Sequence, residues 1–340
     1  MLEKPDLDET LILSSLEEAY GLHAREVTFL PLGADVNTAV YRAVIDAETT
    51  CFLKLRKGAF DEITVSVPHF LAAQGIEAII APLETTTGRL WASLGDFKMI
   101  LYPFVEGQNA YEAALSDAQW VKFGAALRGI HDTPLPPALA RRIPRETFSA
   151  EWRDLVKDFQ AQVEERIYQD PTAAKLTAFM RARREEITRL VARADALGAA
   201  LQDRFQKHTK SREQVLCHTD IHPGNLLLGA NDALHIVDWD NPVLAPKERD
   251  LMLIGGCYTW KEAREEALFY QGYGPAEFDL TALAYYRYER IIQDIAAYCQ
   301  QLLESSTGGE DREQGLAYFM SNFLPGHEIE IACRRDQAGI

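Results

Sequence analysis

The stretch of residues 215–240 constrains this chain most, because it sets polar side chains between short apolar runs in a fixed order. It reads VLCHTDIHPGNLLLGANDALHIVDWD, which predicts a buried strand and then the two arms of a hairpin. The predicted strand is 215–217, the arms are 226–228 and 235–237, and the turn contains Gly229, Asn231 and Asp232. His218, Asp220, Asn225 and Asp238 therefore cluster at strand ends.

Three of these residues form the set that a phosphoryl-transfer site needs. One carboxylate must face the acceptor hydroxyl, and a second carboxylate with an amide oxygen must hold the Mg²⁺ that bridges the nucleotide phosphates. The spacing His-x-Asp-x4-Asn, followed by a strand pair and Asp, resembles the catalytic loop and metal-binding Asp of the protein-kinase-like fold. We therefore predict Asp220 as the catalytic carboxylate, with His218 orienting its loop, and Asn225 and Asp238 as Mg²⁺ ligands.

Two other interpretations of this motif are open at the level of sequence. A His-x-Asp pair can be a capped turn in any loop, and His218, Asp220 and His222 could together bind a transition metal. The second interpretation leaves Asn225 and Asp238 without a role.

The composition is ordinary for a globular protein, with 340 residues, of which 47% are hydrophobic and 25% charged, enough for two packed lobes. No run approaches ~18 apolar residues, and the chain starts with the polar MLEKPDLDET. We therefore expect neither a membrane span nor a secretory signal, and a cytoplasmic location. The five cysteines are an odd number and lie mostly within apolar runs, which favours reduced, buried thiols over disulfides.

The formal net charge of −16 limits the partners of the chain. Proteins that bind nucleic acid carry basic stripes, so we expect no nucleic-acid partner. An acidic cleft would attract a cationic small molecule. The sequence does not indicate an oligomeric state.

The N-terminal part predicts one helix and an antiparallel meander. Asp6 and Glu9 resemble a capping box, and Gly21 ends the helical pattern. Three β-rich runs follow, at 26–32, 38–45 and 50–55.

Within this meander, two features match the nucleotide-binding parts of a kinase-like fold. The first turn, with Gly33, Asp35 and Asn37, has the position of the phosphate-covering loop, although it contains one glycine and could be a plain hairpin turn. Lys54 lies in the middle of the third run and is expected to contact the nucleotide phosphates. Its alternative role is a solvent-facing lysine on the polar side of the strand.

The helical pattern of residues 60–74 supplies the expected ion-pair partner of Lys54. That partner is Glu62, with Asp61 as a rival, and Pro68 would kink or restart the helix. Strands are then predicted at 78–83, 90–94 and 97–104.

The last of these strands runs into Pro and Gly, as a connector between lobes would. We predict that it binds adenine through exposed backbone groups and apolar side chains, in residues Tyr102, Pro103, Phe104 and Val105. The lobe boundary follows from it: a β-rich nucleotide-binding lobe over 1–103 and a helical lobe over 104–340.

The second lobe should be mostly helical. Ser116 caps a helix that ends at His131, residues 149–210 are helical and charged, and a long helix spans 281–303. In the kinase-like fold an Asp at a helix start receives backbone N–H groups of the catalytic loop, which makes Asp250 a structural brace for Asp220. Asp294 could face a cationic substrate or pair with Arg290 at i,i+4. Glu289 is a further substrate candidate.

Three further runs strengthen a family resemblance: residues 31–38 (PLGADVNT), 245–251 (APKERDL) and 286–292 (YRYERII). With residues 217–225, they resemble the aminoglycoside phosphotransferase family. The resemblance implies an α+β, protein-kinase-like bilobal fold with a small antiparallel sheet lobe and a larger helical lobe. It also implies a transferase that uses ATP and Mg²⁺ to phosphorylate an aminoglycoside or aminocyclitol antibiotic, with spectinomycin as the expected acceptor and antibiotic resistance as the outcome. Further candidate contacts of the cationic acceptor are Asp240, Tyr258 and Trp260, although packing is an alternative for the two aromatic residues.

Two other functions compete with this one. The same chemistry could act on a cellular metabolite such as choline, homoserine or a sugar, because relatives across this fold phosphorylate all of these. The chain could instead be a nucleotide-binding regulatory module without catalysis, against which the presence of Lys54, Asp220, Asn225 and Asp238 counts.

Overall fold

The computed structural model describes residues 4–33, 37–207, 214–305 and 308–339. The chain forms two compact units, the first made of Met1–Ile143 with His222–Pro242 and the second of Pro144–Ile221 with Val243–Ile340. The described strands are β1 (Glu26–Leu30), β2 (Thr38–Val44), β3 (Thr50–Lys57), β4 (Ala92–Leu94), β5 (Phe97–Pro103), β6 (Gln108–Asn109), β7 (Val215–Cys217), β8 (Leu226–Leu228), β9 (Leu234–Ile236) and β10 (Val243–Ala245). The described helices are α1 (Glu9–Tyr20), α2 (Ile63–Ala73), α3 (Asp117–Asp132), α4 (Pro137–Ala140), α5 (Glu151–Glu165), α6 (Pro171–Ala182), α7 (Arg184–Lys207), α8 (Glu248–Leu251), α9 (Ala263–Tyr273), α10 (Leu280–Leu303), α11 (Gly309–Ser321) and α12 (Glu328–Ala338).

The first unit contains a five-stranded antiparallel sheet in the order β1-β2-β3-β5-β4. The predicted meander of three strands is confirmed. Residues 78–83, predicted as a strand, form none. Isolated backbone hydrogen bonds hold this segment instead: Leu83 N donates to Leu101 O, and Ala78 O accepts from Ile236 N.

One face of this sheet is covered by α1. Asp8, rather than the predicted Asp6, caps the helix by accepting from Thr10 N, and Gly21 ends it with φ of 67°. Successive side chains of a strand point to opposite faces, so alternate residues of β3 reach this core. The core cluster includes Ile12, Leu16, Tyr20, Tyr41, Cys51, Leu53, Leu55, Met99 and Leu101. Phe52, Lys54 and Arg56 therefore lie on the opposite face of β3.

The hairpin of β8 and β9 belongs to the first unit as well. β8 and β9 pair with Leu226 opposite Ile236, and β6 adds a third strand. The turn is the predicted one, since Asn231 and Asp232 both have a φ of 56° and Gly229 N donates to Ala233 O.

The first unit extends to Ile143, beyond the predicted lobe boundary at 103/104. Strand β6 pairs with β8, and Gln119 of α3 donates to Ala233 O beside β9. Residues 104–143 are thereby joined to the first unit. The predicted capping of α3 by Ser116 is confirmed, because Ser116 and Gln119 form a reciprocal capping box.

The second unit is built from helices around α10, which packs against α5, α6, α7, α8, α11 and α12. It also contains the two-stranded sheet of β7 and β10. The predicted helix at 281–303 is confirmed, but α11 and α12 follow it. All five cysteines are free, four of them buried and Cys333 partly so. Within the described ranges, no helix is long and apolar enough to cross a membrane.

Candidate active site

In the first unit, Lys54 on β3 lies between two carboxylates. Its Nζ donates to Asp238 Oδ1 at 2.7 Å and to Asp240 Oδ1 at 2.8 Å, and its side chain is 10% exposed. Burial alone would lower the pKa of Lys54, but the two carboxylates outweigh it and raise the pKa above its ordinary value. Lys54 is therefore a buried, charged lysine with fixed anionic partners, and the alternative of a solvent-facing lysine is wrong.

Asp240 also binds the next cation of the strand. Its Oδ2 accepts from Arg56 at 2.5 Å, so one carboxylate bridges Lys54 and Arg56. The sequence predicts Asp240 as a substrate contact, and its pattern assigns no role to Arg56. The alternation of β3 is the signal that could have found Arg56, because residues two apart on a strand share a face.

Asp238 and Asn225 lie on neighbouring stretches of backbone. Val237 N donates to Asn225 O at 3.0 Å, which joins the residue before Asp238 to the turn Pro223–Asn225. Asp238 has a φ of 68°, in the left-handed region that side chains rarely adopt, and its side chain is 46% exposed. An accessible carboxylate and an amide oxygen are the hard donors that Mg²⁺ prefers, so this pair fits the ion.

The predicted ion pair between Lys54 and Glu62 is wrong for the described structure. Glu62 immediately precedes α2, its side chain is 52% exposed, and it accepts from Trp91 Nε1 at 3.2 Å and from Arg142 at 3.3 Å. The rival Asp61 accepts from Ile63 N at the start of α2. Helix α2 runs on through Pro68 without a break.

The expected nucleotide loop is described only at its edges. Gly33 has a φ of 84°, and Asn37 O accepts from Lys57 N at 2.8 Å. Asp35 lies outside the described residues.

The expected adenine connector begins in the last two residues of β5 and continues beyond it. Tyr102 pairs with Phe52 across the sheet, Pro103 is the last residue of β5, and Phe104 N donates to Thr50 O. Among the described residues, the backbone N–H and carbonyl of Val105 form no hydrogen bond. A free donor and acceptor on adjacent backbone atoms are what the edge of a base requires.

In the second unit, Asp250 holds the loop that carries Asp220. Its two oxygens accept from the backbone N–H groups of His218 and Thr219, at 2.8 Å and 2.7 Å. Thr219 has a φ of 76°, which is strained for a β-branched residue, and this pair of bonds fixes it. These two bonds support the predicted bracing role of Asp250.

The two histidines of the loop each use Nδ1 to accept a backbone N–H. His218 accepts from Asp220 N at 3.3 Å, and His222 accepts from Gly224 N at 3.0 Å. His218 is buried, and its bond from Asp220 N agrees with the predicted role of orienting the loop. These bonds engage Nδ1 of each ring, so a transition metal would have to bind through Nε2.

Asp220 itself pairs with Arg290 of α10, and Arg290 pairs in turn with Asp294 at 3.1 Å. Burial would lower the pKa of Arg290, but the two carboxylates raise it above its ordinary value. The i,i+4 pair was predicted, whereas the contact with Asp220 was missed. Nothing in the local pattern of α10 indicates a partner 70 residues away.

The remaining substrate candidates fall into different surroundings. Glu289 is buried and accepts from Arg153 at 2.6 Å. Trp260 is 2% exposed. Neither side chain is accessible to a substrate. These two predictions are wrong. Tyr258 is 45% exposed and stacks on His327 at 4.0 Å between ring centroids, so it is not the packing residue of the alternative prediction.

Comparison with known proteins identifies the family. Residues 28–286 match the family described as "Phosphotransferase enzyme family". The chain belongs to this family. The crystal structure of spectinomycin phosphotransferase APH(9)-Ia with ADP and spectinomycin is 36% identical to this phosphotransferase, with a TM-score of 0.88 over 98% of this chain and all (100%) of that one. Its AMP-bound complex is also 36% identical, with a TM-score of 0.84 over 96% of this chain and 98% of that one.

A curated relative is more distant. Protein StrN of Streptomyces griseus is 26% identical over 216 residues, which are 60% of this chain and 64% of StrN. The phosphotransferase is thus matched over 98% of its length by a solved structure and over 60% of its length by StrN. The predicted α+β, protein-kinase-like fold and the predicted enzyme class are confirmed. The predicted use of ATP and Mg²⁺ agrees with the adenine nucleotides in the two solved complexes.

Proposed function

We propose that this phosphotransferase transfers the γ-phosphoryl group of ATP to a hydroxyl of an aminocyclitol antibiotic, with spectinomycin as the acceptor, and thereby gives resistance to it. The observation that carries the proposal is the 36% identity to spectinomycin phosphotransferase across 98% of this chain and all (100%) of that one. A match of that extent includes the regions that bind both substrates, not only the phosphotransferase framework.

The nucleotide end of the reaction is assigned to residues of the first unit. Lys54 neutralises phosphate oxygens, and the oxygens of Asn225 and Asp238 hold Mg²⁺. When bound, this ion neutralises the charge on the β- and γ-phosphate oxygens. Val105 offers a backbone donor and acceptor to adenine. Support comes from the charged state of Lys54, the exposed carboxylate of Asp238 and the unpaired backbone of Val105.

The acceptor end is assigned to Asp220. The acceptor oxygen attacks the γ-phosphorus, and a new P–O bond forms as the bond from that phosphorus to the β–γ bridging oxygen breaks. The acceptor proton passes to Asp220, and ADP leaves. Asp250 and His218 hold the loop in position for this step. The net charge of −16 favours the approach of an acceptor that carries ammonium groups.

The experiment that tests the proposal is a panel of acceptors with the purified protein and Mg·ATP. Spectinomycin, a second aminoglycoside, choline, homoserine and a sugar are incubated separately, and products are identified by mass spectrometry. We expect efficient phosphorylation of spectinomycin and a matching rise in the tolerated spectinomycin concentration of cells that express the protein. Asp220→Asn is the control for contaminating kinases.

Two outcomes would overturn the proposal. Efficient turnover of a metabolite without turnover of spectinomycin would make the protein a metabolite kinase. Tight binding of ATP with transfer to none of the acceptors would favour a regulatory module.

A further inference from the structure

The carboxylate of Asp240 divides its two oxygens between the two cations of β3. Oδ1 accepts from Lys54 at 2.8 Å and Oδ2 from Arg56 at 2.5 Å, and the side chain is 22% exposed. We propose that Asp240 is the positioning residue that aligns Lys54 and Arg56 for the nucleotide phosphates. It takes the role that the sequence predicts for Glu62. This inference rests on the roles proposed above for Lys54 and Asp238.

The geometry of β3 explains why one carboxylate serves both cations. Lys54 and Arg56 are two residues apart, so their side chains leave the same face of the strand and their charges repel at close range. Asp240 lies between them and offsets this repulsion. It also fixes the directions of two long side chains that would otherwise lose rotamer freedom when a nucleotide binds.

Asp238 cannot perform this task alone. Its Oδ1 also accepts from Lys54, at 2.7 Å, but a carboxylate that coordinates Mg²⁺ has less charge left for a lysine. Asp240 provides Lys54 with an anionic partner that stays in place when Asp238 binds the ion. The group holds two cations and two carboxylates, so coordination of Mg²⁺ by Asp238 leaves it with an excess of positive charge toward the phosphates.

Glu62 is the residue that the usual kinase arrangement would assign to this task. Its carboxylate is engaged with Trp91 and Arg142 and is about half exposed. Glu62→Gln is therefore a matched control for Asp240→Asn: each change removes one carboxylate charge from the first unit and keeps the side-chain size.

The test measures the affinity for ADP and ATP by calorimetry, with and without Mg²⁺ and without any acceptor. The variants are Asp240→Asn, Asp240→Glu, Arg56→Gln, the double variant Asp240→Asn with Arg56→Gln, Glu62→Gln and Lys54→Met, with thermal unfolding as a check of folding.

We expect Asp240→Asn and Arg56→Gln each to weaken Mg·ATP binding by about tenfold, the size of one charge-assisted hydrogen bond. The double variant should bind Mg·ATP no more weakly than the weaker of the two single variants, because both changes break the same contact between Asp240 and Arg56. Glu62→Gln should stay within about twofold of the wild type, as for an exposed ion pair.

Kinetics separate positioning from a general structural role. In Asp240→Asn the KM for ATP and the Mg²⁺ concentration for half-maximal rate should both rise by about tenfold, with a smaller change in kcat. Asp240→Glu should recover part of the affinity. The inference would be overturned if Glu62→Gln binds Mg·ATP more weakly than the wild type while Asp240→Asn binds it as well as the wild type. If Asp240→Asn does not fold, wild-type affinity in Arg56→Gln would overturn it. If Lys54→Met binds nucleotide normally, the proposed role of Lys54 fails first, and the inference fails with it.

Discussion

Arg290 on α10 forms an ion pair with Asp220, the carboxylate to which we assign the acceptor proton. The two residues are 70 positions apart in the sequence. The same guanidinium pairs with Asp294, so it is anchored from both sides. A carboxylate held in this way is kept in one orientation, and a positioned group is worth far more to proton transfer than a mobile one.

We expect Arg290→Met to lower kcat/KM for the acceptor by about 2 kcal/mol of transition-state free energy, roughly thirtyfold in rate, because one charge-assisted hydrogen bond to Asp220 is lost. Arg290→Lys should lie between this variant and the wild type. Asp294→Asn is the matched control, since it removes the second partner of Arg290 and leaves the contact with Asp220. Steady-state kinetics at saturating ATP measure all three. Equal losses in Arg290→Met and Asp294→Asn would contradict a specific role of the pair with Asp220.

Asp220→Asn should abolish most of the turnover and leave nucleotide binding intact. The amide keeps the size of the side chain but cannot accept a proton, so we expect kcat to fall by ~10²-fold or more. Calorimetry with Mg·ATP should give the affinity of the wild type. A variant that retains a tenth of the activity or more would remove Asp220 from the proton-transfer step.

Asp250→Ala should destabilise the protein and disorder the loop before Asp220. The change leaves two buried N–H groups, those of His218 and Thr219, without their acceptor. At 1 to 3 kcal/mol for each unsatisfied group, the loss in the free energy of unfolding should be about 3 kcal/mol. Asp250→Asn should lose less, because the amide oxygen still accepts one bond. Urea unfolding measures both, and an unchanged midpoint in Asp250→Ala would contradict the bracing role.

The sequence predicted those features that are encoded within a few residues of each other. Gly21 ends α1, Ser116 caps α3, and the Asn231-Asp232 turn connects β8 and β9, each as its local pattern indicates. The roles assigned to His218, Asp220, Asn225 and Asp238 rest on the spacing of the motif and stay predictions.

The choice of long-range partners was beyond the sequence. Lys54 was assigned to Glu62, eight positions away, but it pairs with Asp240, 186 positions away. Both carboxylates are compatible with the local pattern, and only the course of the backbone after β9 decides between them. Glu289 shows the same limit, since its charge suggested a substrate contact while Arg153, 136 positions earlier, holds it in the core.

The buried pair of Glu289 and Arg153 should make stability depend on pH. Burial raises the pKa of Glu289 from 4.5 to about 7, although the guanidinium of Arg153, at 2.6 Å, opposes the shift. A raised carboxyl pKa means that the folded state binds the proton more tightly than the unfolded state. The resulting stability is fully present below about pH 4.5 and is lost as pH rises through about 7.

We therefore expect the free energy of unfolding of the wild type to fall relative to that of Glu289→Gln by about 1 kcal/mol per pH unit between about pH 5 and about pH 7. Glutamine keeps a neutral acceptor for Arg153 and cannot titrate, so its curve lacks this slope. Asp195→Asn is the matched control for the loss of a carboxylate on the same guanidinium. Urea unfolding at a series of pH values measures the three proteins. Parallel curves for the wild type and Glu289→Gln would mean that Glu289 is ionised throughout this range, and that Arg153 outweighs the cost of burying the charge.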